Sequence, residues 1–442
     1  MRGWSGTLIV AALVVTGCGR PPRPPGPPVP KTEEIAAKTG SAADEALDWT
    51  PSPDDWPMWR GPNADGIASG SPVPAQWTDT ENVTWKAKVP GRGHSSPIIV
   101  GDRIYLETAD EQQQVQSVVC LDRTDGRQIW QTELHRGQFE TAMHRENTQA
   151  SSTLACDGER VIALFLNDRK IWATALDLEG KQIWQTEVGT FAAKFGYSAS
   201  PTLYKSLVLL AADHQQGGFL AALNRKNGEI AWRKARPEKA SYASPRVVSL
   251  AGTDQLVICG CNLVASYDPM TGNSLWSTSG TAEAGVGLPV TTSGLIFASG
   301  GYPEQETIGL KPDGTAAWRI NVKSYVPSLL AHDGHLYIIS DGIARCHDAL
   351  TGAEKWKQRL GGDFRVSPVL SGEHIITTDM SGKTTVFKAN PAKFERVSEN
   401  HLGTEGFASP GISRGQLFLR VADSSNGPRQ EWLYCIGRDT SR

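Results

Sequence analysis

The chain has 442 residues, 39% of them hydrophobic, with 45 Gly and 14 Trp but only 5 Met. Its 44 basic and 47 acidic side chains leave a net charge of −3, so there is no basic excess to serve as a nucleic-acid footprint. Many Gly and Trp among short runs of Val, Ile and Leu favour short strands and turns over helices.

The first element is an export signal. Arg2 is followed by an apolar run from Leu8 to Val15 and then by Thr16, Gly17 and Cys18. That run is too short to span a bilayer and ends in small residues, as a cleaved signal does. The phrase LVVTGC resembles the bacterial lipoprotein box. The resemblance implies removal of residues 1–17, lipidation of Cys18 and attachment to the bilayer by that lipid alone, on the periplasmic side. Gly19 follows, with no Asp there, which implies the outer rather than the inner membrane. Residues 20–30, RPPRPPGPPVP, read as a stiff polyproline II spacer, and residues 31–53 as a polar, Ala-rich continuation with a helical turn or two. Together residues 18–54 are expected to form a tether. From Asp55 the phrase DWPMWRGPNADG carries Trp56, Trp59 and Arg60, and reads as a lead-in pinned onto one surface of the main body. Stacking of a ligand on Trp56 or Trp59 is the alternative role.

A ten-residue phrase organises the rest, clearest as YDPMTGNSLW from Tyr267 to Trp276. It reads as a strand end, a tight turn with Gly supplying positive φ, and a strand start carrying a Trp. It recurs at Trp130, Trp184, Trp232, Trp318 and Trp356, so consecutive Trp lie 54, 48, 44, 42 and 38 residues apart. Such a period signals a propeller or another repeat array. Each phrase is preceded by an opener: Ser96-Pro97, Ser152-Thr153, Ser200-Pro201, Ser244-Pro245, Leu288-Pro289, Val326-Pro327, Ser367-Pro368 and Ser409-Pro410. Apolar strands and short turns follow each, giving four strands per unit.

Two units are irregular. In the seventh, FKANPAKFERV (Phe387 to Val397) stands where the Trp phrase belongs, and the eighth supplies only three strands before the chain ends. The strand NVTWKAKV, Asn82 to Val89, has no unit of its own. It is expected to complete unit eight and close the ring, which removes an exposed sheet edge. The expected fold is therefore all-β, an eight-bladed propeller over residues 55–437 with residues 438–442 as a tail.

These repeats resemble the quinoprotein-type propeller repeat, with its Ala-x-Asp-x-x-Thr-Gly-x-x-x-Trp signature. That family includes pyrroloquinoline-quinone (PQQ) dehydrogenases and non-catalytic scaffolds such as the BamB-like lipoproteins that assist assembly of outer-membrane proteins. A lipoprotein box before eight blades is similar to the second group. The resemblance implies a protein-binding scaffold of the cell envelope, without a cofactor, working as a monomeric ring on other envelope proteins. A PQQ-dependent alcohol or sugar dehydrogenase is the first alternative, and a carbohydrate- or small-ligand-binding propeller the second.

Blade-to-blade loops gather on one face, with length and chemical variety that the tight Gly turns of the other face lack, so a site is expected there. His94, Glu146, Lys194, Tyr197, Tyr242 and Arg365 are the expected rim, where converging charges are focused. For the dehydrogenase alternative, Glu146, Asn147 and Asp363 are the oxygen donors available to Ca²⁺, an ion that wants six to eight. PQQ dehydrogenases often carry a disulfide between adjacent cysteines. No adjacent pair occurs in this chain, and Cys259 and Cys261 are the nearest, with thiols expected to diverge. The six cysteines beyond Cys18 lie in apolar strand phrases and read as small buried hydrophobes.

Overall fold

A computed structural model describes residues 29–37, 49–141, 143–192 and 195–440. The signal peptide, Cys18, much of the tether and Lys194 lie outside the described residues. No helix among those residues is long and apolar enough to cross a membrane.

Eight antiparallel sheets form the blades, each running from an inner to an outer strand. Blades one to seven span Ile98–Arg136, Ala155–Thr190, Thr202–Ala235, Arg246–Ser279, Val290–Ile320, Leu330–Arg359 and Val369–His401. Blade eight takes three strands from Gly411–Ser413, Gln416–Asp423 and Gln430–Ile436, and its outer strand is Val83–Val89 from the other end of the chain. Trp85 pairs with Cys435 and Lys88 with Trp432, so the ring closes as the orphan strand predicts.

The repeated Trp is an inter-blade lock. Its indole N–H donates to a carbonyl of the next blade at Trp85 (Arg123, 3.0 Å), Trp130 (Leu178, 2.9 Å), Trp184 (Arg225, 3.0 Å), Trp232 (Pro269, 3.2 Å), Trp318 (Ala349, 2.8 Å) and Trp356 (Asn390, 2.8 Å). The turn Gly of the next blade lies flat against the same ring. A Cβ on Gly126 would sit 2.6 Å from the Trp85 ring, and on Gly180 2.6 Å from that of Trp130. The turn therefore needs Gly twice, for its φ of +74° and +86° at these two positions and for the close approach of the indole. The residue opposite each Trp on the third strand is small: Cys120, Ala175, Ala222, Ser266, Gly309, Cys346 and Cys435. This accounts for three of the cysteines as compact apolar partners of a bulky ring. All six described cysteines are free and buried. Cys259 and Cys261 do not pair; the strand ends at Gly260, and Cys261 turns out of it with a φ of 58°.

Blade seven has Ser398 where the Trp belongs. The lead-in fills the gap. Ser398 Oγ and Asn400 Nδ2 both donate to the Ala75 carbonyl, Trp77 N donates to Asn400 Oδ1 (3.0 Å), and the Trp77 ring is buried. Upstream, the lead-in crosses the inner strands. Trp56 bridges Ile99, Pro57 O accepts from Cys156 N, and Ile67–Ala68 adds a parallel strand to Val369–Ser371. Arg60, buried, donates to the carbonyls of Asp65, Leu329 and Pro368. Its two Nη groups are thus held by backbone carbonyls while Nε is buried without a partner, and burial lowers its pKa to about 9.

The tether is also engaged where it is described. Ile35 exchanges two backbone hydrogen bonds with Arg233 on the outer strand of blade three (2.9 and 2.8 Å), and Thr190 Oγ1 donates to Pro30 O (2.7 Å). Residues 29–37 therefore lie along a blade edge rather than standing free of the ring.

Candidate functional site

The openers define two stacked circles at the axis. In the first, each hydroxyl accepts the backbone N–H of the preceding blade's opener. Ser409 N donates to Ser96 Oγ (3.0 Å), Ser96 N to Thr153 Oγ1 (3.0 Å), Thr153 N to Ser200 Oγ (3.0 Å) and Ser200 N to Ser244 Oγ (2.7 Å). The series resumes from Leu288 N to Ser328 Oγ (3.0 Å), Ser328 N to Ser367 Oγ (2.9 Å) and Ser367 N to Ser409 Oγ (3.1 Å). Two openers differ from the sequence reading. Blade two uses Thr153, not Ser152, and blade six uses Ser328, two residues past Val326. The hydroxyl, not the Pro, is what the blades share: it caps an N–H that the inner strand cannot pair. Leu288 has no hydroxyl, which breaks the circle at blade five.

The second circle lies two residues upstream of each opener: His94, Ser151, Ser198, Tyr242, Val286, Val326, Arg365 and Phe407. All eight line one pocket of ≈ 460 Å³. Trp59 from the lead-in lines it as well, with Ser96, Thr153, Ser200 and Ser409 from the first circle, and loop residues including His144, Glu146, Asn147, Phe195 and Tyr325. The hydroxyls belong to blades eight, one, two and three, while Tyr242, Val286 and Val326 face them from blades four, five and six. The hydroxyls therefore gather on one side of the pocket, with His94 and Phe407 in the same arc, and the opposite side is apolar.

Aromatic rings build much of the wall. His94 stacks on Phe407 at 4.3 Å with planes 7° apart, Phe195 meets His144 edge-on at 5.5 Å, and Phe195 lies 5.9 Å from Tyr242. Burial, reinforced by the cations Arg92, Arg420 and Arg429, drives His94 well below the usual imidazole range, so it is neutral at pH 7. Its Nε2 and the Tyr242 hydroxyl are sealed from water without a hydrogen-bond partner. Behind His94, Arg420 and Glu431 form a buried ion pair, and Arg429 joins Glu431 (3.0 Å) to Glu405 (2.9 Å).

Of the expected rim residues, His94, Glu146, Tyr242 and Arg365 meet in this pocket. Lys194 lies outside the described residues. Tyr197 does not reach the pocket. It sits one position before the axial residue Ser198, and its ring turns into the core against Phe191 while its hydroxyl donates to Ala211 O (3.0 Å). Phe195 and Phe407 were not among the expected residues. The signal that finds Phe407 is its place two before an opener, the same place as His94 and Arg365.

The oxygen donors do not form a calcium cradle. Arg365 Nη1 donates to Asp363 Oδ1 (2.6 Å) and Nη2 to Glu146 Oε2 (3.3 Å), so a guanidinium holds the two carboxylates. Asn147 Oδ1 already accepts from Thr148 N and Ser151 Oγ. Asp363 is not part of the pocket lining, which leaves Glu146 and Asn147 as the acidic and amide oxygens there.

Comparison with known proteins places this architecture. Among curated proteins, the tetrathionate hydrolase of Acidithiobacillus ferrooxidans is 21% identical over 68% of this chain, and the chain spans 65% of that protein's length. The outer membrane protein assembly factor BamB of Yersinia pestis is 22% identical over 69% of this chain and 77% of its own. Among solved structures, the quinohemoprotein alcohol dehydrogenase of Comamonas testosteroni superposes with a TM-score of 0.62 at 12% identity, over 87% of this chain and 81% of that one. At such identity the likeness is one of fold alone. The model of a family described as outer membrane protein assembly factor BamB matches residues 67–194 and 114–358, more than half of the sequence, and the chain belongs to that PQQ-like propeller family.

Proposed function

We propose that the protein is a non-catalytic binding scaffold of the bacterial cell envelope, anchored through lipid on Cys18 at the periplasmic side of the outer membrane. It presents the blade-to-blade face to other envelope proteins as a monomeric ring, and it uses no resident cofactor. The observation that carries this reading is the state of the charges at the pocket. Arg365 is held by Glu146 and Asp363, and His94 is buried, neutral and stacked on Phe407, so the fixed charges at the pocket are paired with one another. The aromatic lining beside them suits binding. Membership of the assembly-factor family supports the same direction.

The dehydrogenase reading draws on one observation, the Trp59 side chain in an axial pocket of a propeller shaped like a quinohemoprotein dehydrogenase. If a quinone were bound, Trp59 and the His94–Phe407 pair would be the surfaces available to stack on it, and the quinone would supply the two-electron chemistry. The engaged oxygens of Asn147 and Glu146 count against a metal beside it.

The test uses the full-length lipoprotein in envelope membranes. Affinity purification should recover outer-membrane assembly proteins, and the double variant Phe195→Ala, Tyr325→Ala should lose most of that recovery while melting like the parent. Dye-linked alcohol or sugar oxidation after addition of PQQ and Ca²⁺ would overturn the scaffold reading.

A further inference from the structure

We infer that the axial pocket is a saccharide site, whose occupant is a neutral sugar of one or a few rings seated between the hydroxyl-bearing and the apolar sides. The inference goes beyond the scaffold reading and does not rest on it.

The polar side has a defined direction of hydrogen bonding. Ser96, Thr153, Ser200 and Ser409 each accept a backbone N–H from the neighbouring blade. A hydroxyl that already accepts in this way has its own proton left to donate. Four such protons lie along one half of the pocket, with Ser151 and Ser198 between them in the adjacent circle. An occupant of that half must be dense in oxygen acceptors. The other half offers Val286, Val326 and the Tyr242 ring, while Phe407, stacked on His94 in the arc that carries the hydroxyls, and Trp59 add further ring faces to the pocket. An occupant of that half must present an apolar or ring face. A pyranose combines both surfaces, since hydroxyl and ether oxygens line its edge and C–H groups its faces.

Charge decides between a sugar and an anion of similar size. The one fixed cation among the described lining residues is Arg365, and it is shared by Glu146 and Asp363. One positive charge among two negative ones repels a di- or tricarboxylate. The pair still has capacity for a neutral polyol. Glu146 Oε1 can accept from a hydroxyl, and the guanidinium keeps N–H groups beyond those given to Asp363, Phe364 and Glu146. The two partners also come from loops before blades two and seven, so the ion pair reaches across the mouth of the pocket and not along one side of it. The ≈ 460 Å³ of the pocket falls in the size range of small-molecule sites.

The test is calorimetric titration of the purified full chain with maltose, cellobiose and N,N′-diacetylchitobiose, with PQQ as an anionic control. At least one sugar should bind with a dissociation constant below about 1 mM, and PQQ should not compete with it. Ser198→Ala and Tyr242→Ala, one on each side, should each weaken that binding about tenfold. Melting temperature checks that both variants fold, and Ser198→Ala removes only a hydroxyl. A pelleting assay with purified peptidoglycan sacculi separates an envelope glycan from a free sugar as the source, since only the former sediments the protein. Failure of all three sugars to bind by 1 mM would overturn the inference. So would PQQ displacing the sugar, or sugar binding unchanged in both folded variants. None of these outcomes depends on recovery of envelope proteins, so the scaffold reading stands or falls separately.

Discussion

Replacing Trp232 with Ala should be among the most damaging single changes outside the pocket. This Trp is fully buried, and its indole N–H donates to Pro269 O in the next blade at 3.2 Å. Gly272 of that blade lies against its ring, where an added Cβ would come within 2.6 Å. Removing a buried aromatic ring costs about 3–5 kcal/mol, because the roughly 25 cal/mol per Å² of lost burial is joined by the cavity left behind. The Pro269 carbonyl then lacks its donor, which adds about 1 kcal/mol. Together the change should reach about 4–6 kcal/mol. Trp276 is the internal control. Its ring also lies against the next blade's turn Gly314, but it is only half-buried and its N–H donates to Gln255 Oε1 within its own blade at 2.8 Å, so Trp276→Ala should cost about half as much. Urea unfolding followed by far-ultraviolet circular dichroism measures both, and the denaturant slope reports whether the ring still unfolds as one unit. Equal costs for the two variants, or a cost for Trp232→Ala under about 1.5 kcal/mol, would refute the view that full burial and the hydrogen bond to the next blade set the worth of each repeated Trp.

Glu107 is wholly buried, accepts from Leu164 N at 3.2 Å with one oxygen and has no partner for the other. Burial raises its pKa well above the ordinary carboxylate range, with the Leu164 bond and Arg420 opposing. The native state therefore keeps a proton that the unfolded chain releases above about pH 4.3, and stability contributed by this group is lost as pH rises, by up to about 1.4 kcal/mol per unit. Glu107→Gln should flatten that decline between pH 5 and 7 in chemical unfolding, and parallel curves for parent and variant would show that the carboxyl is ionised in the fold. Burial also pushes the thiols of Cys120, Cys156, Cys259, Cys346 and Cys435 up to about 12. None of the six described cysteines should react with Ellman's reagent at pH 8 until urea is added, and prompt reaction of any of them in the native protein would contradict their placement.

The blade count and the closing strand could be read from the sequence because both are set by local chemistry repeated along the chain. A turn Gly, a Trp after it and an apolar strand before it recur wherever a blade must lock onto its neighbour. Trp85 without a blade and a last unit without an outer strand define each other. The irregular joint was visible as a missing Trp at Ser398, but not its remedy, since Trp77 reaches Asn400 across 323 residues of sequence. The candidate site was half legible for the same reason. His94 and Arg365 stand at one repeated position before the opener, whereas Tyr197, one residue off that position, faces the core.

What the sequence determined by itself is the repeated unit, its number and the order of blades, because each is written in residues a few positions apart. Only the tertiary structure decided what the axis holds. Closing the ring brings eight loops and the lead-in Trp59 to one point, sets four hydroxyls along the same half, and places Arg365 against Glu146, 219 residues away in the chain. No local pattern encodes such a meeting, since the distance between two blades across a ring depends on every blade in between.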